Sequence, residues 1–369
     1  MSGRIRVGVV FGGRSGEHEV SLMSARSVLA ALDPEKYEIV SIGIWRDGRW
    51  FSGSDVLEGF EKGRLDTLIP VALIGEPGPR GLFRWEEGKT LERLHSLDVI
   101  FPVTHGTYGE DGTLQGLLEM ADIPYVGAGV LASSVAMDKG LFKELMRAHH
   151  IPVVNSAIVL SNTLAERQDE VVEQAEGVGP YPLFIKPANL GSSVGVSKCR
   201  SRADLLEGLM DAARYDRRVI VEQGLEAREI EVSVLGNEEP EASVVGEILP
   251  SDEFYSYRAK YLDNASGLLI PAPIDEDTTE EVRRLAIEAY KIIDGAGMAR
   301  ADFLLERETG ALYLNELNTI PGFTQISMYP KLWDAAGLPY PALMDRLIEL
   351  AFERQGQKDH LVRTYGSTE

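Results

Sequence analysis

Cysteine is nearly absent: Cys199 stands alone in 369 residues, so neither an internal disulfide nor a cysteine-rich zinc site can form. Long apolar runs are missing as well, and nothing approaches the ~18 residues of a membrane span. The first strand-like stretch, residues 7–11, is too short for a secretory h-region, and no small-residue cleavage site follows it. Positive charge is scarce: 37 Lys and Arg face 58 Asp and Glu, a formal charge of −21. A surface that acidic repels nucleic acid and anionic membrane, so polyanion-binding roles are disfavoured. No internal repeat and no low-complexity tract interrupts the chain. What remains is ordinary for a folded protein, 44% apolar and 26% charged residues, which excludes disordered and collagen-like classes. The length exceeds what one hydrophobic core usually serves and predicts two or three domains of a soluble, cytoplasmic protein.

Strand-like and helix-like segments alternate, which predicts α/β architecture. Residues 5–11 read as a buried strand closed by Gly12 and Gly13, and residues 21–32 follow with helical spacing. Further strands are expected at 37–45 and 99–103, with an irregular or hairpin insertion over 46–97. One helical stretch is expected from about 133 to 149. Residues 250–271 are polar, aromatic and aperiodic, and a loop of that size inside a folded protein suits a functional lid.

The richest chemical signal is Met-Ala-Arg-Ala-Asp at 298–302 followed by Leu-Asn-Glu-Leu-Asn at 314–318. Glu308-Thr309-Gly310 between them predicts a hairpin. With Glu306 opposite Leu312, Asp302 faces Glu316 and Arg300 faces Asn318 on one side of the ribbon. Two carboxylates and an amide oxygen suit Mg²⁺, and an adjacent Arg would clamp an anion; the same residues would also make a solvated face with a cross-strand ion pair. A second signal is Lys186 delivered by a strand into Gly191-Ser-Ser-Val-Gly195, whose backbone N–H groups could cradle phosphate; it is not a Walker A loop. Residues 127–132 match a dinucleotide fingerprint formally, but no acidic residue ends a second strand at the required distance. Glu19 and His105 each follow a strand, where α/β sheets bind ligands; as isolated residues a helix-start acid and a structural histidine serve as well.

Taken together, residues 12–21, 105–116, 134–139, 186–195, 257–261, 300–302 and 315–327 resemble, in this order, the ATP-grasp ligases, and within them the D-alanine–D-alanine ligase family. Residues 46–97 and the tail after about 355 are least similar to it. The resemblance implies a three-domain ATP-grasp fold: a Rossmann-like N-terminal domain (1–130), a central subdomain (131–221) and a C-terminal subdomain with the metal and substrate site (222–369). It implies ATP-dependent joining of two D-alanines through an acyl phosphate, for peptidoglycan precursor synthesis. Asp302, Glu316 and Asn318 would hold two Mg²⁺ or Mn²⁺ ions, and Lys139, Lys186 and Lys260 would neutralise phosphate oxygens. Glu222, Leu225 and Glu229 resemble adenine and ribose contacts, with Phe254 and Phe303 as apolar walls. Glu19 would take the first D-alanine's ammonium and His105 would sit beside its carboxylate. Arg300 and the Gly322 N–H would form an oxyanion hole, and Ser327 would hold the second substrate's carboxylate. Ser192, also beside the nucleotide, and Tyr261 would orient Glu19 and close the loop over the site. The Lys260-Tyr261 pair resembles peptide-forming members and implies D-alanine at both subsites. A homodimer is likewise implied by the resemblance alone.

Other readings are a D-alanine–D-lactate ligase, another ATP-grasp carboxylate–amine ligase, a non-catalytic ATP-binding protein on the same fold, and an NAD-dependent oxidoreductase.

Overall fold

The computed structural model describes residues 3–191, 194–249 and 267–362. Ser192, Phe254, Lys260 and Tyr261 lie outside the described residues, as does most of the expected lid.

The apolar run β1 (Ile5–Gly12) is followed by α1 (His18–Ala31) and β2 (Tyr37–Ile44). β1 pairs in parallel with β2, and with β7 on its other side. A strand flanked on both edges and covered on both faces must be apolar throughout, and Val7, Val9, Val10 and Phe11 are fully buried. Of the two readings of 46–97, irregular or hairpin, the structure shows the hairpin one. β3 (Trp50–Ser52), α2 (Val56–Glu61), β4 (Ile69–Leu73), β5 (Gly81–Arg84) and β6 (Glu92–Ser96) precede β7 (Val99–Pro102). The strands among them extend the sheet antiparallel to the order β6-β5-β4-β3-β2-β1-β7. They run three to five residues each, too short to show alternation.

After α3 (Thr113–Met120) the chain crosses Gly127, φ +95°, where the backbone of Gly297 approaches so closely that a Cβ on Gly297 would lie 2.9 Å from the Gly127 nitrogen. Gly127 of the formal dinucleotide fingerprint thus serves a backbone-to-backbone contact. The single helix expected at 133–149 is two, α4 (Val130–Met137) and α5 (Lys139–Ala148). Asp138 breaks them: its side chain accepts from the N–H groups of Gly140 (3.1 Å) and Leu141 (3.0 Å), capping α5.

A second sheet follows from β8 (Ser156–Leu160), α6 (Ser161–Glu166), α7 (Gln168–Glu176), β9 (Leu183–Pro187), β10 (Ser197–Cys199), α8 (Arg202–Ala212) and β11 (Arg218–Gln223). Its strand order is β10-β9-β11-β8, antiparallel throughout. The third contains β12 (Ala227–Leu235), β13 (Glu241–Leu249), β14 (Gly267–Leu269), β15 (Met298–Glu306) and β16 (Leu312–Asn318), in the order β14-β13-β12-β15-β16, with α9 (Glu276–Ile292) before β15. The end of the stretch expected as loop is therefore strand β14, paired with β13.

In the β15–β16 hairpin the turn end is one residue out of the expected register: Leu305, not Glu306, faces Leu312. A bulge between Asp302 and Phe303 absorbs the offset. Beyond it Asp302 pairs with Glu316 and Arg300 with Asn318, as the sequence predicts.

α10 (Met328–Ala335) and α11 (Tyr340–Asp359) close the chain. Tyr329, Trp333, Leu343, Leu347 and Ile348 share one core with Val7 and Phe101 of the first sheet. Arg354 donates to the Gly127 carbonyl (2.7 Å) and Lys358 pairs with Glu119. The C-terminal helices thus fix the first and third sheets to each other. Among the described residues no helix is long and apolar enough to cross a membrane.

Candidate active site

The three sheets meet around a cleft of about 380 Å³, within the range of small-ligand sites. Its floor carries an ion network that neither composition nor motif foretells. Glu222, at the end of β11, is buried with its carboxylate between two ammonium groups: Lys186 Nζ at 2.7 Å and Lys143 Nζ at 3.0 Å. Register explains half of this, because Glu222 and Lys186 lie on paired strands β11 and β9. Burial pushes the Glu222 carboxyl up, but the two lysines outweigh it and hold the group at about 2. Burial also works against the Lys186 ammonium, and Glu222 reverses that, so its pKa is raised. Phe184 shares the Lys186 face of β9 by strand alternation and lines the cleft, as do Leu225, Glu229 and, from β15, Phe303. Phe184 and Lys143 both escaped the sequence reading, although alternation with Lys186 was a usable signal for Phe184.

The hairpin supplies the opposite wall. Arg300 holds Asp302 through two parallel hydrogen bonds, both 2.7 Å, and also pairs with buried Glu231 at 3.1 Å. Lys139, at the start of α5, donates to the Leu190 carbonyl (2.7 Å) and lies 3.7 Å from Glu316. Asn318 accepts from the Ile320 N–H with its amide oxygen (3.1 Å). Among the described residues no three His, Cys, Asp or Glu side chains are spaced to hold a metal by themselves. Asp302, Glu316 and Asn318 nevertheless offer oxygen donors on one cleft wall, the donor type that suits Mg²⁺ when substrate oxygens complete its shell. The residues present therefore fit the ion.

At the other end of the cleft the expectation for Glu19 is corrected. Glu19 is exposed and pairs with Arg46 on the surface; the acid that lines the cleft is Glu17. The cause is helical phase. Residues 19, 23, 26 and 30 form the outward stripe of α1, whereas Glu17 lies one turn before Ser21 on the buried side. Two glycines make room for its carboxylate. A Cβ on Gly106, φ +74°, or on Gly191 would come within 2.6 or 2.7 Å of Glu17 Oε2. Beside it Glu110 is buried and accepts from the Gly106 N–H (2.7 Å). Burial, with the Glu17 carboxylate added, pushes the Glu110 carboxyl well above the ordinary range.

His105 sits behind the wall rather than on it. Its Nδ1 lies 3.0 Å from the Ile320 carbonyl, so it carries the proton and donates, and Nε2 accepts from the Ser24 hydroxyl at 3.0 Å. Burial lowers its pKa, consistent with a neutral ring. Ser24 also accepts from the Phe323 N–H (3.3 Å), and Tyr340 donates to the Phe323 carbonyl (2.6 Å). These bonds fix the turn that presents Gly322 to the cleft. Ser327 caps the entry to α10, its hydroxyl 2.7 Å from that of Thr324, and both line the cleft. Of the residues expected at the site, Lys139, Lys186, Glu222, Leu225, Glu229 and Arg300 line the cleft, as do Asp302, Phe303, Glu316, Asn318, Gly322 and Ser327.

Residues 6–128 match the family described as D-ala D-ala ligase N-terminus, and residues 145–349 match D-ala D-ala ligase C-terminus. A D-alanine–D-alanine ligase of Thermoanaerobacter sp. (strain X514) is 50% identical over 355 residues, covering 96% of this chain and 98% of that protein. Among solved structures, the D-alanine-D-alanine ligase from Coxiella burnetii aligns with a TM-score of 0.80 at 36% identity, over 98% of this chain and 97% of that one. The VanG D-Ala:D-Ser ligase from Enterococcus faecalis aligns at 0.83 and 34% identity, over 95% of this chain and 100% of that one.

Proposed function

This chain belongs to the D-alanine–D-alanine ligase family, and from that premise we propose how its cleft joins two D-alanines with ATP to make D-alanyl-D-alanine for peptidoglycan synthesis. The observation that carries the proposal is the separation of charge along one cleft. Lys186 stands on Glu222, and Glu17 and Glu110 gather around Gly106, matching a polyphosphate at the first group and an ammonium at the second.

ATP lies with its base against Phe184, Leu225 and Phe303, its ribose toward Glu229 and its phosphates toward Lys186 and Lys139. Asp302, Glu316 and Asn318 would hold the divalent ions, Mg²⁺ or Mn²⁺, which neutralise phosphate oxygens when bound. The first D-alanine places its ammonium on Glu17 and its carboxylate toward the γ-phosphate. Attack by that carboxylate gives an acyl phosphate and ADP. Phosphoryl transfer of this kind depends on positioning and charge neutralisation, which the lysines provide. Ser327, at a helix entry, receives the carboxylate of the second D-alanine. Its neutral amine adds to the acyl carbon, passing one N–H proton to the departing phosphate, and the oxyanion that forms is met by Arg300 and the Gly322 N–H. Collapse of the tetrahedral intermediate expels phosphate and leaves the dipeptide. His105, neutral and engaged on both nitrogens, holds the turn that carries Gly322. Ser192, Phe254, Lys260 and Tyr261 keep within this proposal the roles the family resemblance implies.

Initial-rate measurement of ADP release tests the reading. D-alanine alone should sustain turnover in the presence of Mg²⁺. Addition of D-lactate or D-serine should yield little mixed product beside D-alanyl-D-alanine; predominant ester or D-alanyl-D-serine would reject D-alanine as the second substrate.

A further inference from the structure

Lys143 takes no direct part in the mechanism above, yet it is the most deeply buried lysine of the cleft region, with 1% of its side chain exposed. It does not line the cleft, so it cannot touch a nucleotide there. It lies one helical turn after Lys139 on α5, and the two ammonium groups diverge into different partners. Lys139 reaches the loop after β9 and Glu316; Lys143 reaches Glu222 Oε1 at 3.0 Å and Asn315 Oδ1 at 3.4 Å. One side chain thereby connects α5, β11 of the second sheet and β16 of the third.

Charge shows what this connection does. Glu222 has two carboxylate oxygens, and each faces a different lysine. With Lys143 in place, the trio carries one net positive charge, and it resides at the part that opens to the cleft, Lys186, 18% exposed. Without Lys143 the buried carboxylate would keep Lys186 as its one ion partner among the described residues, and the pair would be neutral toward an incoming anion. A buried anion left with a single cation binds it tightly, because nothing else offsets its desolvation.

We propose that Lys143 is a positioning residue for ATP: by occupying one oxygen of Glu222 it leaves the charge and reach of Lys186 to the polyphosphate. The inference rests on the reading of this cleft as the ATP site. It assigns a role in ATP affinity to a residue that ATP never meets.

The test compares wild type with Lys143→Met in ADP-release assays, with ADP and adenosine as competitive inhibitors against ATP. The expected result is a KM for ATP raised roughly ten- to a hundredfold, the scale of one charged hydrogen-bonding partner, with kcat and the KM for D-alanine changed far less. Inhibition by ADP should weaken by the same factor while inhibition by adenosine, which has no phosphate, holds. Unchanged ADP inhibition overturns the proposal, and so does equal weakening for ADP and adenosine, which would mark general damage to the cleft. Should Lys143→Met fail to fold, Lys143→Met/Glu222→Gln is compared with Glu222→Gln alone. Equal ADP inhibition constants support action through Glu222; a further loss in the double variant overturns it. A wild-type chain that releases no ADP with D-alanine would refute the ligase reading instead, whatever the variants do.

Discussion

Two buried glutamates, Glu222 and Glu110, line one cleft and are shifted in opposite directions. Glu222 lies between two lysines and is held down at about 2 despite its burial. Glu110 is buried beside Glu17, with one backbone N–H for a partner, and is pushed well above the ordinary range. Burial is common to both; the neighbours decide the sign. In a chain of net charge −21, positive charge must be concentrated to receive a triphosphate, and the Glu222 end does this. At Glu110 burial and the neighbouring Glu17 both favour the uncharged carboxyl, which leaves Glu17 to meet an ammonium.

The largest effect expected is at Glu316. Glu316→Gln removes a charge from the proposed metal wall and should abolish ADP release while leaving a folded protein by circular dichroism; full activity would remove that wall from the account. Next is the acidic end. Glu17→Gln should lower kcat/KM for D-alanine on the order of a hundredfold, the worth of a charge-assisted contact, with little change in the KM for ATP. Glu19→Gln should stay within about twofold, as exposed ion pairs contribute little. The reverse ranking would return the ammonium site to Glu19.

The comparison of the two glutamates sharpens further with pH. Glu222 titrates at about 4.5 when unfolded and at about 2 when folded, so its contribution is present above 4.5 and is lost as pH falls toward 2. Glu110 runs the other way: its folded pKa is raised, so its contribution is full below 4.5 and is lost as pH rises through the higher folded value. Thermal melts should therefore show Glu222→Gln flattening the limb below pH 4.5 and Glu110→Gln the limb above it. Both substitutions flattening the same limb would break the contrast. Smaller again is the effect of Glu110→Gln on turnover, since the glutamine keeps an oxygen to accept from the Gly106 N–H; a change within a few-fold in ADP release is expected.

How much of this was legible depends on how local the signal was. The hairpin wall was readable because strand alternation and a Gly310 turn place Arg300, Asp302, Glu316 and Asn318 on one side, and the bulge shifted only the turn end. The ammonium acid was misplaced by two residues, because helical phase at the entry to α1 separates Glu17 from Glu19 and the motif alone does not fix where the helix starts. The stripe of Ser21, Ser24 and Val28 would have pointed back to Glu17. Lys143 lies on the buried stripe of α5 with Gly140 and Met146, so its inward face was legible, but its partners Glu222 and Asn315 are 79 and 172 positions away and no local pattern names them. The strands of 46–97 could be read only as an irregular or hairpin stretch for want of length, and the packing of α11 on the first sheet had no local signal at all.

The most direct test of the central claim is a crystal structure with ADP, Mg²⁺ and D-alanine bound. The account predicts the phosphates within hydrogen-bonding distance of Lys186 and Lys139, with the D-alanine ammonium on Glu17. Phosphates turned away from both lysines, or an ammonium resting on Glu19 at the surface, would contradict it.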